Sequence, residues 1–189
     1  MNSPEAQHSQ CGGPGLSGRG IVASTSEGFS PARAASASQE KRTFFVTSAS
    51  APRRAIFQSK PMANLLADVL QEYRRRQKFL LHQFVIMPDH FHALLTPPGE
   101  VSLEKALQYI KGGFSYRARK ELTFLGEIWE KSFSNHRIRD SRDYDIHCEY
   151  IWKNPVKRFL CRTASEFPYS SAFPAAEVDP APPWLKPLL

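Results

Sequence analysis

The segment FLLHQFVIMPDHFHALLT, residues 79–96, decides the fold because it contains two apolar stretches on either side of a turn. Residues 79–87 and 90–96 are rich in aromatic, β-branched and leucine side chains, which is typical of buried strands. The pair Pro88-Asp89 between them supplies residues that favour a turn. Two strands joined by so short a connection predict an antiparallel hairpin.

Two histidines, His90 and His92, flank one apolar residue at the start of the second strand. Residues i and i+2 of a strand point to the same face, so both imidazoles project together, while Phe91 and Ala93 point to the other face. Such a pair is either a set of hydrogen-bonded, partly buried histidines or half of a metal site. The hairpin by itself leaves both interpretations open.

The sequence predicts five further elements around this hairpin, from hydrophobic periodicity and capping residues. They are a strand at 43–47, a helix opened by Pro61 and ending near Lys78, a helix capped by Ser102, a strand at 128–139, and a helix from Asp140 or Ser141 to about Asn154. Pro155 disfavours helical geometry at the residue before it, so we expect the last helix to end or bend there. Gly112-Gly113 within the second helix indicates a kink or a close approach of the backbone to another group.

The element order is strand, helix, strand, strand, helix, strand, helix. This order predicts an α+β fold of the ferredoxin-like split βαβ type, with an additional C-terminal helix. Its antiparallel sheet carries helices on one face and leaves the other face open. If Phe91, Ala93 and Leu95 face the helices, His90 and His92 lie on the open face.

Composition divides the chain into three parts. Residues 1–40 are rich in Ser, Ala and Gly and show no apolar periodicity, so they cannot bury enough surface to offset their ordering entropy. Five prolines at and beyond position 174 argue for an irregular end. We therefore predict a disordered leader at 1–40, one domain at 41–173 and a Pro-rich tail at 174–189.

The chain has 189 residues and a formal net charge of +7. The first forty residues hold only Arg19 and Arg33 against three glutamates, so the positive charge belongs to the remainder of the chain. A basic body favours a polyanionic partner, nucleic acid before a membrane surface. A basic protein without a nucleic-acid partner is the alternative on charge alone.

Three cysteines, Cys11, Cys148 and Cys161, are too few and too widely spaced for a disulfide framework or a Cys-based zinc site. We interpret them as free thiols of a reducing compartment. No apolar run approaches the roughly 18 residues of a membrane span, and the N-terminus lacks the apolar centre of a secretory signal. The expectation is a soluble, cytoplasmic protein.

Tyr150 is the second chemical element of the sequence. It shares one helical stripe with Ile146 and Asn154, because the three residues are spaced by four. A tyrosine hydroxyl can attack phosphorus and form a covalent intermediate, with a divalent cation polarising the phosphate. The carbonyl oxygen of Asn154 could complete a Mg²⁺ or Mn²⁺ site begun by the histidines. A core-edge tyrosine and a helix-terminal asparagine are the alternatives.

These residues carry a family resemblance. His90-Phe91-His92 resembles the signature of HUH endonucleases, and residues 87–92 together with 150–156 resemble single-tyrosine HUH transposases, especially the REP-associated tyrosine transposases. The resemblance spans about residues 43–173 and includes Lys111-Gly112-Gly113, Ile138-Arg139-Asp140 and the Pro168-Tyr169-Ser170-Ser171 turn. Lys157-Arg158-Phe159 departs from the pattern, since many relatives carry a basic residue and glycine there.

The resemblance implies a metal-dependent transposase that nicks and rejoins single-stranded DNA beside hairpin-forming repeats. It implies that Tyr150 is the nucleophile that forms a 5′-phosphotyrosine link, and that His90, His92 and Asn154 hold Mg²⁺ or Mn²⁺. Basic side chains are then the candidates for contacts to the DNA backbone. They are Arg53, Arg54, Lys111, Arg117, Arg119, Arg137 and Arg139.

Two other functions fit parts of the sequence. A DNA-binding regulator of the same fold would have lost mobility, and a zinc hydrolase would use the two histidines to activate water. The hydrolase requires a third ligand and leaves Tyr150 without a role. Related enzymes act as monomers or as homodimers, and the short link between Arg139 and Tyr150 favours a tyrosine that acts within its own chain.

Overall fold

The computed structural model describes residues 41–185, so the predicted leader at 1–40 and residues 186–189 lie outside the described part. Four strands form one antiparallel sheet in the order β2-β3-β1-β4. The strands are β1 (Phe44–Ala49), β2 (Leu80–Ile86), β3 (His90–Thr96) and β4 (Ser134–Arg137), and the α-helices are α1 (Lys60–Arg75), α2 (Leu103–Leu122) and α3 (Ser141–Lys157). This is the predicted α+β, ferredoxin-like architecture with its additional C-terminal helix.

The larger core lies between the sheet and the helices α1 and α2. Phe91, Ala93 and Leu95 of β3 point into it, as the alternation of the strand predicts. They pack with the buried stripe of α1 that includes Leu66 and with the stripe of α2 that includes Ile110. Because each large apolar side chain contributes roughly 1.5–3 kcal/mol when fully buried, this core sets the position of β3.

The opposite face of the sheet is not open, contrary to the prediction. Helix α3 packs across β2 and β3, and its Cys148 and Ile151 form a second core with Val85 and Leu94. The sequence pattern hid this packing because α3 also carries polar residues on the stripe that faces the sheet. The histidine face therefore forms a buried layer between the sheet and α3.

The predicted strand at 128–139 is much shorter in the structure, where β4 covers only Ser134–Arg137. Ile128 and Trp129 precede it as an irregular segment, and Trp129 forms a single antiparallel bridge with Ser50. Both side chains are buried in the larger core. This segment is therefore held by the burial of the Trp129 ring in the core and not by strand pairing within the sheet.

Helix α3 continues through Pro155 to Lys157, so of the two predicted outcomes, an end or a bend near Asn154, the helix does not end there. A proline within a helix removes one N–H donor, but the carbonyls around it can still accept hydrogen bonds. The Asn154 carbonyl accepts from Arg158 N at 3.1 Å, which closes one more turn. The helix ends where Phe159 adopts a left-handed φ of 56°.

Helix α2 runs without interruption through Gly112 and Gly113. A Cβ atom on Gly113 would lie 2.6 Å from the ring of Tyr73 on α1, whereas one on Gly112 would meet nothing within 4 Å. The glycine pair thus marks a close approach of α1 and α2 at Gly113, which is one of the two predicted possibilities.

The segment after α3 covers the outer edge of β2. Tyr169 O accepts from Ile86 N at 2.8 Å, and Asp179 N donates to Leu81 O at 2.7 Å. Asp179 Oδ2 also accepts from Leu81 N at 2.7 Å. Residues 174–185 contain no helix or strand, in keeping with their prolines. Asp179 in this segment nevertheless provides hydrogen-bond partners for backbone groups on the outer edge of β2. Within residues 41–185, no helix combines the length and the apolar character that crossing a bilayer requires.

Candidate active site

His90 and His92 converge on one point. Their Nε2 atoms lie 3.1 Å apart. The opposite ring nitrogens are held by the protein: Asp89 Oδ1 lies 2.6 Å from His90 Nδ1, and Thr47 Oγ1 lies 2.7 Å from His92 Nδ1. Thr47 can reach its partner because it is paired with His92 across β1 and β3. When each outer nitrogen donates its proton to one of these oxygens, the Nε2 lone pairs of both rings point inward.

The geometry and the charge of this pair suit a divalent cation. Mg²⁺ bonds of about 2.0–2.1 Å place adjacent octahedral ligands about 2.8–3.0 Å apart, close to the observed separation of the two Nε2 atoms. Burial, together with the neighbouring His90, lowers the pKa of His92 from 6.5 to about 3. His92 is therefore neutral at physiological pH, which is the form of imidazole that binds metals.

Tyr150 on α3 lies directly against the histidine pair. Its ring meets the ring of His92 edge-on, with centroids 5.2 Å apart, and meets Phe45 at 5.7 Å. The residue is 43% exposed, whereas His90 and His92 are 7% and 4% exposed. The tyrosine thus stands at the border between the buried histidines and solvent, where a large substrate can reach it.

Asn154 lies one helical turn beyond Tyr150 and is buried. One turn further, Arg158 borders a cavity of about 280 Å³ whose wall includes Asp89 and His90. Tyr150 therefore lies beside His92, and Arg158, the C-cap residue of α3, lines the same cavity as His90. The structure thus brings His90, His92 and Tyr150 together and places Asn154 one turn beyond Tyr150 on the same helix.

Sequence reasoning missed the residues that orient this site. Asp89 belongs to the quoted turn, and its position next to a histidine was the only available signal. Thr47 and Phe45 lie in the predicted first strand, but only the register of β1 against β3 shows that they contact His92. Arg158 stood in the segment that departs from the family pattern.

A second cluster of side chains of metal-binding types was not predicted from the sequence. His136 on β4 meets Asp143 and His147 on α3, and one ligand atom from each lies within 4.8 Å of the others. Burial opposes ionisation of Asp143, but hydrogen bonds from His136 and from Arg139 N lower the pKa of its carboxyl overall. The ring of Phe45 lies against His147 at 4.6 Å and thus between this cluster and Tyr150.

The predicted DNA-contacting residues are scattered. Arg53 borders the cavity beside the histidines and is exposed, with an ion pair to Glu130 at 3.6 Å. Arg54 instead donates to the backbone carbonyls of Ala51, at 2.8 Å, and Glu127. The first arginine remains accessible near the site, whereas the second connects loops of the fold.

Helix α2 lies on the face of the sheet opposite the histidines. Its Lys111 donates to Glu130 O at 2.8 Å, and burial lowers the pKa of this lysine. Arg117 forms ion pairs with Glu121 at 2.7 Å and Glu72 at 3.4 Å. The structure does not bring these two side chains to the candidate site.

The other three predicted contacts, Arg119, Arg137 and Arg139, are exposed. Arg119 is near the end of α2, far along the chain from the histidine segment. Arg137 is the last residue of β4, and Arg139 lies in the link to α3, where its N donates to Asp143 Oδ2 at 3.1 Å. These two residues lie next to the helix that carries Tyr150.

A ferredoxin-like domain in which a tyrosine-bearing helix packs on a histidine pair is characteristic of the single-tyrosine transposases. Residues 42–154 match the family described as Transposase IS200 like. Because this match covers more than half of the chain, the protein belongs to that family, and the prediction of a transposase-class protein is confirmed.

One curated relative agrees with this assignment, and one solved structure shares the fold. The chain is 30% identical over 108 residues to the REP-associated tyrosine transposase of Escherichia coli (strain K12), and the match covers 57% of this chain and 62% of that relative. A solved structure of a REP-associated tyrosine transposase bound to a REP hairpin superposes with a TM-score of 0.59 at 23% identity, covering 78% of this chain and 92% of the other. The latter similarity confirms the predicted fold.

Proposed function

We propose that this protein nicks and rejoins single-stranded DNA through a covalent link to Tyr150. The observation that carries the proposal is the contact between Tyr150 and His92, whose Nε2 atom lies 3.1 Å from that of His90. A nucleophile and a pair of metal-binding nitrogens thus meet at one accessible edge of a buried layer. Family membership supports a transposase reaction for this arrangement.

In the proposed step, the Tyr150 oxygen attacks a DNA phosphorus atom and loses its proton. The bond from phosphorus to the 3′ oxygen breaks, which leaves a free 3′-OH and a 5′-phosphotyrosine. A 3′-OH of another DNA end reverses the step and rejoins the strand. The phosphodiester energy is stored in the tyrosine link, so strand transfer requires no nucleotide cofactor.

His90, His92 and Asn154 are proposed to hold Mg²⁺ or Mn²⁺. When bound, the cation polarises the phosphoryl oxygen and neutralises developing charge. The residues fit this role because two Nε2 atoms converge and Asn154 lies buried on the same helical stripe as Tyr150. Asp89 and Thr47 hold the rings in the orientation that binding requires.

The proposed substrate is single-stranded DNA with a hairpin-forming repeat. The formal charge of +7 favours a polyanion, and a similar fold is known bound to a REP hairpin. Among the predicted DNA contacts, Arg53 borders the cavity beside His90, and Arg139 lies in the link that leads into the helix of Tyr150. Arg54, Lys111 and Arg117 already bind groups of the protein, and Arg119 lies on α2 on the opposite face of the sheet.

Covalent capture of DNA tests this function. Purified protein is incubated with Mn²⁺ and 5′- or 3′-labelled single-stranded hairpins from the DNA that flanks its gene, and adducts are resolved on denaturing gels. The expected result is an adduct that retains the label 3′ of the nick and is lost in Tyr150→Phe, whose DNA affinity stays within about twofold of wild type. Tyr116→Phe removes the hydroxyl of a more exposed tyrosine on α2 and is expected to form the adduct normally.

Two results would contradict the proposal. An adduct that survives in Tyr150→Phe would exclude this residue as the nucleophile. Hairpin binding without any adduct, in wild type and with either cation, would favour the DNA-binding regulator that the sequence left as an alternative.

A further inference from the structure

We propose that His136, Asp143 and His147 form a second metal site, separate from His90 and His92, which takes Zn²⁺ and fastens α3 to β4. The three side chains come from two elements, since His136 lies on the edge strand and the other two lie one turn apart on the helix. An ion bound to all three would therefore cross-link the helix to the sheet.

The two carboxylate–imidazole distances within this cluster are close to those around one tetrahedral ion. Asp143 Oδ2 lies 2.9 Å from His136 Nε2, and Asp143 Oδ1 lies 3.2 Å from His147 Nδ1. Zinc bonds of about 2.0–2.1 Å place tetrahedral ligands about 3.3–3.4 Å apart. The two separations differ from that spacing by about 0.5 Å or less, and all three ligand atoms lie within 4.8 Å of one another, so an ion would draw the two imidazoles together around the carboxylate.

The chemistry of the ligands favours zinc over magnesium. Two imidazoles and one carboxylate are a set that Zn²⁺ binds well, whereas Mg²⁺ prefers oxygen ligands and keeps its waters. The His136 side chain is 40% exposed and those of Asp143 and His147 are each 19% exposed. Water can therefore supply the fourth ligand from the side of His136.

The surroundings hold the three ligands in place. The rings of His136 and His147 stack with centroids 4.9 Å apart and planes inclined by 16°. Phe45 supports His147 from the sheet, at 4.6 Å. Asp143 N donates to Asp140 Oδ1 at 2.9 Å, which fixes the first turn of the helix. Such supporting contacts reduce the conformational entropy that the ligand side chains lose when an ion binds.

One hydrogen bond competes with the ion. His147 Nδ1 donates to the backbone carbonyl of Asp143 at 2.8 Å. Coordination through Nδ1 requires the tautomer that carries its proton on Nε2, so the hydrogen bond is exchanged for the metal bond. The affinity is therefore expected to fall below that of a site whose ligand atoms are all free.

The position of the cluster gives it a consequence for the tyrosine helix. His147 precedes Tyr150 by three residues, and both rings contact Phe45. Only residues 138–140 join β4 to α3, so the cluster lies at the start of the helix that carries Tyr150. Zinc at this site would hold the helix against the sheet. The importance of this zinc ion for catalysis rests on the proposed function, whereas the binding of zinc to the three residues does not.

Metal titrations on a background that lacks the first site test the proposal. In His90→Asn/His92→Asn protein, Co²⁺ is expected to bind one ion per chain with visible absorption typical of a tetrahedral site, and Zn²⁺ is expected to displace it. Adding His136→Asn should weaken binding at least tenfold and remove that absorption. Asn135→Ala, a neighbour on the same strand, is the matched control and should leave binding unchanged.

Hydrogen exchange provides a readout that does not depend on activity or on the first site. On the same background, Zn²⁺ should slow exchange of the amides at 141–150 and have no such effect once His136→Asn is present. The proposal is overturned if the background protein binds no Co²⁺ or Zn²⁺, or if the His136→Asn protein binds them equally well. Circular dichroism of each variant establishes that it is folded.

Discussion

The ring of Tyr150 on α3 meets the ring of His92 on β3 nearly edge-on, with centroids 5.2 Å apart and planes inclined at 72°. Both residues belong to the same chain, and the link between β4 and α3 spans only residues 138–140. A single chain therefore assembles the tyrosine and the histidine pair without a second copy.

This contact predicts that cleavage occurs within one chain. A mixture of Tyr150→Phe and His92→Asn proteins is expected to form no more DNA adduct than either protein does alone, because neither chain holds a complete site. The measurement is adduct yield on denaturing gels across mixing ratios. Recovery of adduct in the mixture would indicate a dimer in which helices α3 are exchanged.

Asp89 is expected to control metal affinity through His90. Its carboxylate lies 2.6 Å from His90 Nδ1, and loss of such an orienting partner typically costs about 10–100-fold in metal affinity. Asp89→Asn should therefore weaken Mn²⁺ binding by that factor, as measured by calorimetry on a His136→Asn background. Thr47→Ser retains the hydroxyl that meets His92 and should change affinity less than threefold; equal losses in both variants would contradict the orienting role.

Asp179 is expected to hold the C-terminal segment on the sheet. Its carboxylate accepts from Leu81 N at 2.7 Å and pairs with Arg74 at 3.1 Å. Because it is largely buried, Asp179→Asn should lower the free energy of unfolding by about 1–3 kcal/mol, as measured by urea denaturation. Glu177→Gln removes a more exposed charge that also meets Arg74, and it should cost less than about 0.5 kcal/mol.

The two glycines of α2 should respond differently to alanine. Gly112→Ala adds a methyl group into open space and should stabilise the protein by up to about 1 kcal/mol through helix propensity. Gly113→Ala places its Cβ against Tyr73, which must leave its stack with Tyr109, so the gain should be cancelled or reversed. Thermal unfolding of the two variants makes the comparison, and equal stabilisation would show that α1 and α2 are not in close contact here.

His82 makes stability depend on pH. Burial lowers its pKa below 6.5, even though its hydrogen bond to the Pro180 carbonyl acts in the other direction. As pH falls through about 6.5, the unfolded chain takes up a proton before the folded chain does, so stability falls until the pKa of the folded state is passed. The loss of unfolding free energy between pH 7.5 and pH 5 should be smaller in His82→Gln than in wild type. An identical loss in both proteins would show that other groups account for the pH dependence.

The sequence by itself determined the hairpin, the order of the elements and the orientation of the histidines. The period of a strand fixes the face on which His90 and His92 project, and the residues between them and beyond them show which face is apolar. The spacing of four places Tyr150 and Asn154 on one stripe of a helix. These are local properties, because each depends only on residues close together in the chain.

Only the tertiary structure decided how those local features combine. The packing of α3 across β2 and β3 buried the histidines, although the fold pattern predicted an open face. The register of β1 against β3 placed Thr47 beside His92, and the angle between α3 and β4 brought His136 to Asp143 and His147. Each of these contacts joins distant parts of the chain through the shape of the packed side chains, which no short sequence pattern encodes.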